Sequence, residues 1–405
     1  MTNTGEFEQE QESQQQEQEP KHPGWQSLTT VLNTTNELFE KCLFLQGYEA
    51  SSNIYVIMGD YLTIVDPGND YTAFMDLFKL HLHPADIKKV VLTHGHFDHA
   101  MGTFELLRAY PSIMKGGGFE LILHGATSRE LKDGVKEFGC RVTEVSGGET
   151  LELSGFEWEV IHTPGHTIHG ICLYHSPTKT AFTGDTVLPH AMAQPDPYAG
   201  GKLDHYLFGI KALLKRDIEN VLPGHGSPVP SAGRRVIEDT YEGLMMKIIG
   251  VETQIPWMAG ATALAQQGLL EEAVFCCDKE MARHPENLGA FELKILCLND
   301  LGRCQEALEA LDKLEELRPR ERGDVFIPIG KGYALMGLGR YQESIKLFDE
   351  ALKIKPGMKD ALVYKGMALY LAGNYDEAME IEHFRTEFMG RFKEEFRKKT
   401  ESSEK

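Results

Sequence analysis

The feature that most constrains this 405-residue chain is a series of short apolar runs that end at a His or Asp beside a glycine. The runs end in THGHFDH, TPGHT, FTGDT and LPGHG, and helical patterns such as FMDLFKLHL separate runs of this kind. Alternating strands and helices predict an α/β domain, in which the loops after strands carry the chemistry. The residues concerned are His94, His96, Asp98, His99, His166, Asp185 and His225.

These seven residues are candidate metal ligands. Imidazole and carboxylate groups are the usual nitrogen and oxygen ligands of zinc and its neighbours. Seven ligands exceed the four that close a tetrahedral shell, but they suit two ions that share a carboxylate and a water molecule. The sequence therefore predicts two Zn²⁺ ions per chain, with iron or manganese as the alternative metals.

The order of these motifs resembles the metallo-β-lactamase-fold hydrolase superfamily. T-H-x-H-x-D-H is followed by PGH, GD and GH, and it is preceded by VDPG with Asp66, over about residues 40 to 230. The resemblance implies an αβ/βα sandwich with the metals at the edge between the two sheets. It also implies that Asp185 bridges the two metals and that Asp66 supports the ligands without binding a metal. The implied ligands are His94, His96 and His166 for the first metal, and Asp98, His99 and His225 for the second.

Details of the motifs separate this chain from several relatives. True β-lactamases carry Cys or Ser where this chain has Asp185, and di-iron flavoproteins of the fold carry Glu where it has His96. Glyoxalase II-type thioesterases share all seven ligands and a stretch like TPGHTLGHICFY. This chain has TPGHTIHGICLY, in which His169 and Gly170 are exchanged. The ligand set is thus similar to that of glyoxalase II, but the thiol-recognition residues cannot be transferred.

The leading functional hypothesis is a metal-dependent hydrolase that cleaves an ester, thioester or related bond of a small molecule. A hydroxide bridging two metals would be the nucleophile, and Asp98 would orient it as the catalytic residue. His190, Tyr198 and Lys202 lie in the loop after Asp185, where relatives contact substrate, although a plain surface loop is the better explanation for each of them alone.

Two alternatives stay open. A mononuclear iron persulfide dioxygenase of the same fold would use only His94, His166 and Asp185. An adaptor protein would use a C-terminal repeat region for binding and its metal site for structure.

A second region begins near Pro256, where strand-like patterns give way to helical ones. Glycines recur at intervals of 34, 37 and 34 residues, at positions 268, 302, 339 and 373. In the first three units a proline follows by 17 residues, which places the three extra residues near RERGD (320–324).

This period resembles tetratricopeptide repeats, which are helix pairs that must stack to bury their apolar faces. Small residues occur at Ala273, Ala307, Ser344 and Ala378, aromatic residues at Tyr341 and Tyr375, and glycines at Gly332 and Gly366 where helices would touch. The first two units lack the aromatic residue and are degenerate repeats. The repeats are compatible with a groove for a protein or peptide partner and equally with a helical module that only packs or dimerises.

The predicted organisation has four parts. A Glu/Gln-rich disordered tail (1–24) precedes the catalytic domain (25–250), the repeats (256–383) and a capping helix with a tail (384–405). The net charge of −20 argues against nucleic acid as a partner, because that task requires clustered Lys and Arg. Seven cysteines without a CxxC pair are typical of buried thiols in a reducing interior. With no signal peptide and no long apolar run, the sequence predicts a cytoplasmic protein without membrane contact.

Overall fold

The computed structural model describes residues 24–48, 50–69, 71–114, 118–251, 256–318 and 323–390. The predicted N-terminal disordered tail lies outside these residues except for Gly24, as do most of the RERGD insertion and the tail after residue 390. The chain divides into two compact units between Leu244 and Met245.

The first unit contains two β-sheets. One sheet has the strand order β1-β2-β3-β4-β5-β6-β7, and the other has the order β12-β11-β10-β9-β8. Neighbours from β4 to β7 are parallel, as are β11 and β12, and the other pairs are antiparallel. The strands are β1 (Gln26–Ser27), β2 (Cys42–Leu45), β3 (Ile54–Met58), β4 (Leu62–Val65), β5 (Ile87–Val91), β6 (Glu120–His124), β7 (Arg141–Val145), β8 (Thr150–Leu153), β9 (Phe156–His162), β10 (Ile171–His175), β11 (Thr180–Gly184) and β12 (Asn220–Pro223).

Aromatic side chains fill the space between the two sheets. Phe44 and Tyr55 come from the first sheet, and Trp158 and Phe182 come from the second. The ring of Phe182 lies edge-on to Tyr55 at 5.0 Å and tilted against Trp158 at 4.8 Å. All four side chains are buried. Because each sheet turns one apolar face to the other, they form a sandwich.

Helices cover the outer faces of the sandwich. Phe74, Leu106 and Val135, from three different helices, pack with Val90 and Leu121 on the outer face of the first sheet. The helix Leu203–Leu214 packs against β9 of the second sheet. This helix–sheet–sheet–helix order confirms the predicted αβ/βα sandwich. The described helices that begin in this unit are α1 (Leu28–Leu32), α2 (Glu37–Glu40), α3 (Tyr71–Phe78), α4 (Phe97–Ala109), α5 (Arg129–Lys136), α6 (Leu203–Leu214) and α7 (Gly233–Ile249).

Strand ends explain where the motifs lie. β4 ends immediately before Asp66, and its parallel neighbour β5 ends three residues before His94. In the other sheet β11 ends immediately before Asp185, and the parallel β12 ends two residues before His225. Parallel neighbours end at the same edge of a sheet, so each sheet delivers its polar residues to one place.

The second unit consists of helix pairs. The glycines at positions 268, 302, 339 and 373 follow the first helix of each pair and adopt left-handed φ angles of 79°, 72°, 77° and 88°. Glycine adopts this conformation without steric cost, which explains the period. All four repeats therefore form helix pairs, including the two with degenerate sequences. The helices are α8 (Trp257–Gln266), α9 (Leu270–Arg283), α10 (Leu288–Asp300), α11 (Cys304–Leu317), α12 (Phe326–Gly337), α13 (Tyr341–Ile354), α14 (Lys359–Leu371) and α15 (Tyr375–Glu380), and residues 382–390 are also helical.

Small residues mark the contacts between these helices. The four recurring small residues, Ala273, Ala307, Ser344 and Ala378, are completely buried. A β-carbon added at Gly332 would lie 2.7 Å from the Phe348 ring, and one added at Gly366 would lie 2.4 Å from Cβ and Cγ of Phe384. Both glycines lie where helices touch, as the sequence predicted.

We predict that Gly366→Ala destabilises the repeat unit, although alanine is the better helix former. The new methyl group would meet Phe384 close to its backbone, where the side chain cannot move away, and overpacking of this kind costs about 1–3 kcal/mol. Thermal unfolding of the full chain, followed by far-ultraviolet circular dichroism, should show a lower midpoint. Gly289→Ala is the control, since its nearest neighbour would lie 3.4 Å away. A Gly366→Ala variant as stable as this control would contradict the packing argument.

Candidate metal centre

The seven predicted ligands converge at the edge where the two sheets meet. Their side chains form three groups in which the ligand atoms all lie within 4.8 Å of one another. The groups are His94, His96 and His166 (the imidazole group); Asp98, His99 and His225 (the acidic group); and His94, His99 and Asp185. The first two groups are the two ligand sets that the sequence resemblance implies, and the third connects them.

In two histidines of the imidazole group, a hydrogen bond at the ring nitrogen that faces away from the other ligands determines which nitrogen carries the hydrogen. His166 Nδ1 lies 2.7 Å from the Gln194 carbonyl oxygen, which can only accept, so Nδ1 carries the hydrogen. Thr93 Oγ1 donates its hydrogen to Asp66 Oδ2 at 2.6 Å, so Thr93 Oγ1 accepts from His94 Nδ1 at 3.2 Å. In both imidazoles, Nε2 is therefore left with its lone pair.

His96 is oriented the other way round. Its Nε2 lies 3.0 Å from Asp196 Oδ2 and donates to it, which leaves the lone pair on Nδ1. Although desolvation opposes the shift, hydrogen bonds from the Tyr198 amide and from His96 lower the pKa of Asp196, so this carboxylate is an acceptor at neutral pH.

Three lone pairs consequently point at one another. His96 Nδ1 lies 3.1 Å from His94 Nε2 and 3.0 Å from His166 Nε2. No hydrogen remains between these nitrogens in this arrangement, and burial holds the pKa of His94 well below its ordinary value, which keeps it neutral. Lone pairs at such distances repel one another unless a cation lies among them, so the donor set fits a metal ion such as zinc.

The acidic group has a different chemistry. His99 is fully buried, its Nδ1 donates to Asp66 Oδ2 at 2.8 Å, and its Nε2 faces Asp185 Oδ1 at 3.4 Å. His99 Nε2 and Asp185 Oδ1 are buried without a hydrogen-bond partner in the described part of the chain. Although burial opposes a charge, the carboxylates of Asp66 and Asp185 raise the pKa of His99 well above its usual value. The surroundings of His99, between these two carboxylates, thus favour a positive charge.

His225 completes the acidic group. Its Nε2 lies 3.0 Å from Asp98 Oδ2 and 3.7 Å from Asp185 Oδ1. The hydrogen bond from His225 to Asp98 raises the pKa of His225. Gly224 leaves room for this arrangement, because a β-carbon there would lie 2.4 Å from Asp185 Oδ1 and 2.6 Å from His99 Cε1.

Asp66 lies behind both groups. Its backbone has the left-handed φ of 50°, its Oδ1 accepts from the Thr93 amide at 2.8 Å, and its Oδ2 accepts from Thr93 Oγ1 and His99 Nδ1. The side chain is buried and contacts the outer nitrogen of one ligand directly. This geometry agrees with the predicted supporting role, which metal ligands generally require.

Sequence reasoning missed two partners in the loop after Asp185, namely the Gln194 carbonyl and the Asp196 carboxylate. Gln194 acts through its backbone, which no sequence motif reveals. Asp196 lies in a Pro-rich stretch with no flanking pattern that points to His96. The substrate-contact candidates His190, Tyr198 and Lys202 are all exposed, and their role stays a prediction.

Comparison with known proteins identifies the first region. The model of the Metallo-beta-lactamase superfamily matches residues 47–225. Residues 47–225 form a metallo-β-lactamase superfamily domain. A tetratricopeptide repeat model matches residues 329–382 of the second unit.

Several relatives match the metallo-β-lactamase domain. An uncharacterized protein from Mycobacterium leprae is 29% identical over 228 residues, which are 50% of this chain and 100% of the relative. Atrochrysone carboxyl ACP thioesterases from Paecilomyces divaricatus and Aspergillus aculeatus are 26% and 25% identical over 48% and 47% of this chain. The chain spans about half the length of these thioesterases, 55% and 54% respectively.

Solved structures that are similar to this chain include a metallo-beta-lactamase family protein from Thermus thermophilus and a beta-lactamase domain protein from Burkholderia ambifaria. Their TM-scores are 0.40 and 0.41, each at 19% identity, and the matches cover 55% and 54% of this chain and 87% and 79% of the other. All seven cysteines of the chain are buried thiols outside any disulfide. None of the helices in the described ranges combines the length and apolar character needed to cross a membrane.

We predict that Asp66→Ala destabilises the first unit. The change leaves the buried Thr93 amide and His99 Nδ1–H without acceptors, and each unsatisfied donor costs about 1–3 kcal/mol. The free energy of unfolding should fall by about 3 kcal/mol in chemical denaturation. Asp60→Ala, on an exposed turn, is the control. Equal stability of the two variants would show that Asp66 does not hold the site together.

Proposed function

We propose that this chain is a metal-dependent hydrolase that cleaves an ester, thioester or related bond of a small molecule with two divalent ions, preferably zinc. The observation that carries the proposal is the convergence of three imidazole lone pairs beside the acidic group. Divalent ions bound there would lower the pKa of a water molecule to near 7 and polarise the bond to be cleaved.

The candidate ligands offer two positions for a metal ion. The imidazole group offers three neutral nitrogens, and the acidic group offers a carboxylate with two imidazoles. Asp185 reaches both groups, since its Oδ2 lies 3.7 Å from His166 Nε2 and its Oδ1 lies 3.4 Å from His99 Nε2. Asp185 is therefore the residue that we assign as the bridging ligand.

Asp98 is the carboxylate that an incoming water molecule can reach. Its side chain is 29% exposed, whereas that of Asp185 is 11% exposed. Asp98 Oδ2 is held by His225, which fixes the orientation of the carboxylate. We assign Asp98 a double role, as a ligand and as the group that orients the attacking water.

Two observations favour a thioester among the candidate substrates. Curated relatives over the same region include acyl carrier protein thioesterases by name. Phe97, which lies between the candidate ligands His96 and Asp98 in the sequence, is also 66% exposed and offers an apolar surface. Such a surface suits the acyl portion of a substrate better than a charged one.

The alternatives explain less of the geometry. A mononuclear iron persulfide dioxygenase would use only His94, His166 and Asp185, and it would leave the close contact of Asp98 with His225 without a purpose. An adaptor would not need a carboxylate that is open to solvent. The repeats remain compatible with a protein partner of the enzyme.

The direct test is metal quantification on purified full-length protein, followed by assays with thioesters, lactones and phosphodiesters. We expect two zinc equivalents and turnover that is fastest with a thioester. One equivalent of iron, together with oxygen consumption in the presence of a persulfide, would replace our proposal with the dioxygenase.

Two substitutions on helix α4 test the role of Asp98 in the same turnover assay. Asp98→Ala should reduce turnover at least 100-fold, the usual scale for a group that acts on a proton, while the circular dichroism spectrum stays unchanged. Glu105→Ala is the matched control, because Glu105 lies on the same helix and pairs with Arg108 on the surface. Full activity of Asp98→Ala would remove the catalytic role.

A further inference from the structure

The loop after Asp185 (residues 186–202, the support loop) supplies the outer partners of two histidines in the imidazole group. Asp196 Oδ2 accepts from His96 Nε2, and the Gln194 carbonyl accepts from His166 Nδ1. His94 and His99 differ, because they are oriented from the buried side through Thr93 and Asp66. The imidazole group thus takes two outer partners from a surface loop, whereas among the described residues no hydrogen bond joins this loop to a side chain of the acidic group.

Asp196 is itself held firmly within the support loop. Its Oδ1 accepts from the Tyr198 amide at 2.8 Å, its backbone amide donates to the His166 carbonyl oxygen at 2.8 Å, and its carbonyl oxygen accepts from the Gly201 amide at 2.7 Å. These bonds do not involve the ring of His96. The carboxylate is therefore preorganised to receive a hydrogen from His96 rather than being positioned by it.

The proton on His96 decides whether this residue can bind a metal. An imidazole ligates through the nitrogen that lacks a hydrogen, and in His96 the nitrogen that faces His94 and His166 is Nδ1. A carboxylate at Nε2 favours the tautomer with hydrogen on Nε2 and leaves Nδ1 free. A donor at the same place would favour the opposite tautomer, whose Nδ1–H points into the imidazole group.

We propose that Asp196 is a positioning residue that sets the tautomer of His96, so that the support loop controls metal binding at the imidazole group but not at the acidic group. The inference rests on the proposed metal-binding function of these residues. It goes further by making one of the two metal positions dependent on a loop that borders the site.

The variant Asp196→Asn separates this role from a purely structural one. The amide has one oxygen for two donors, the Tyr198 amide and His96 Nε2–H. If the oxygen stays with Tyr198, the turn is kept and the NH₂ group faces His96 Nε2, which moves the imidazole hydrogen to Nδ1. Asp196→Ala removes both contacts, but water can replace the acceptor at a side chain that is 30% exposed.

The tautomer role and a turn-forming role therefore predict opposite rankings of the two variants, Asp196→Asn and Asp196→Ala, by their metal affinity. If Asp196 sets the tautomer, Asp196→Asn should weaken metal binding at least as much as Asp196→Ala does. If Asp196 only forms the turn, Asp196→Asn should behave like the unchanged protein and Asp196→Ala should be the weaker binder.

The experiment is a titration of metal-free, full-length protein with Zn²⁺ alone, in competition with a chromophoric chelator. We expect two binding classes in the unchanged protein. In Asp196→Asn, one class should weaken by about 10–100-fold, the usual effect of losing an outer partner of a metal ligand, and the other class should not change. Asp204→Ala, an exposed carboxylate shortly after the loop, is the control and should leave both classes unchanged.

Nitrogen-15 spectra of the histidine rings give a readout that does not depend on bound metal. In the metal-free protein the His96 signals should show hydrogen on Nε2, and in Asp196→Asn they should show hydrogen on Nδ1. Two unchanged zinc classes in Asp196→Asn, or an unchanged tautomer, would overturn the inference and leave the proposed function intact. Failure of the unchanged protein to bind zinc would overturn both.

Discussion

A single buried carboxylate, Asp66, is the constraint on which the rest of the site depends. Its Oδ2 accepts from Thr93 Oγ1, which in turn orients His94, and also from His99 Nδ1. One side chain thereby orients a ligand in each group, so that Nε2 of both imidazoles faces the site. Such a charge is tolerated in the interior because donors surround it on both oxygens.

The fold supplies this arrangement through its strand ends. Asp66 follows β4, and Thr93 lies two residues after β5, so the contact between them joins two parallel neighbours of one sheet. The second sheet contributes Asp185 and His225 from the ends of β11 and β12. The sandwich brings the two edges together, and the buried aromatic residues between the sheets hold that spacing.

The sequence predicted the parts of the molecule in which local residue type decides the structure. The ligands could be predicted because His and Asp follow apolar runs at strand ends. The repeats could be predicted because a glycine with a left-handed φ recurs after the first helix of each pair. The role of Asp196 could not be predicted, because this residue is 100 positions from His96 in the sequence and their contact depends on the path of the loop that carries Asp196. For the same reason no sequence pattern indicated that Gln194 contributes a backbone carbonyl to His166.

We propose that the converging lone pairs and carboxylates hold two cations. Anomalous X-ray diffraction, measured above and below the zinc absorption edge on crystals of the zinc-loaded protein, tests it most directly. We expect two anomalous peaks, one within bonding distance of His94, His96 and His166, and the other within bonding distance of Asp98, His99 and His225. A single peak, or none at either position, would contradict it.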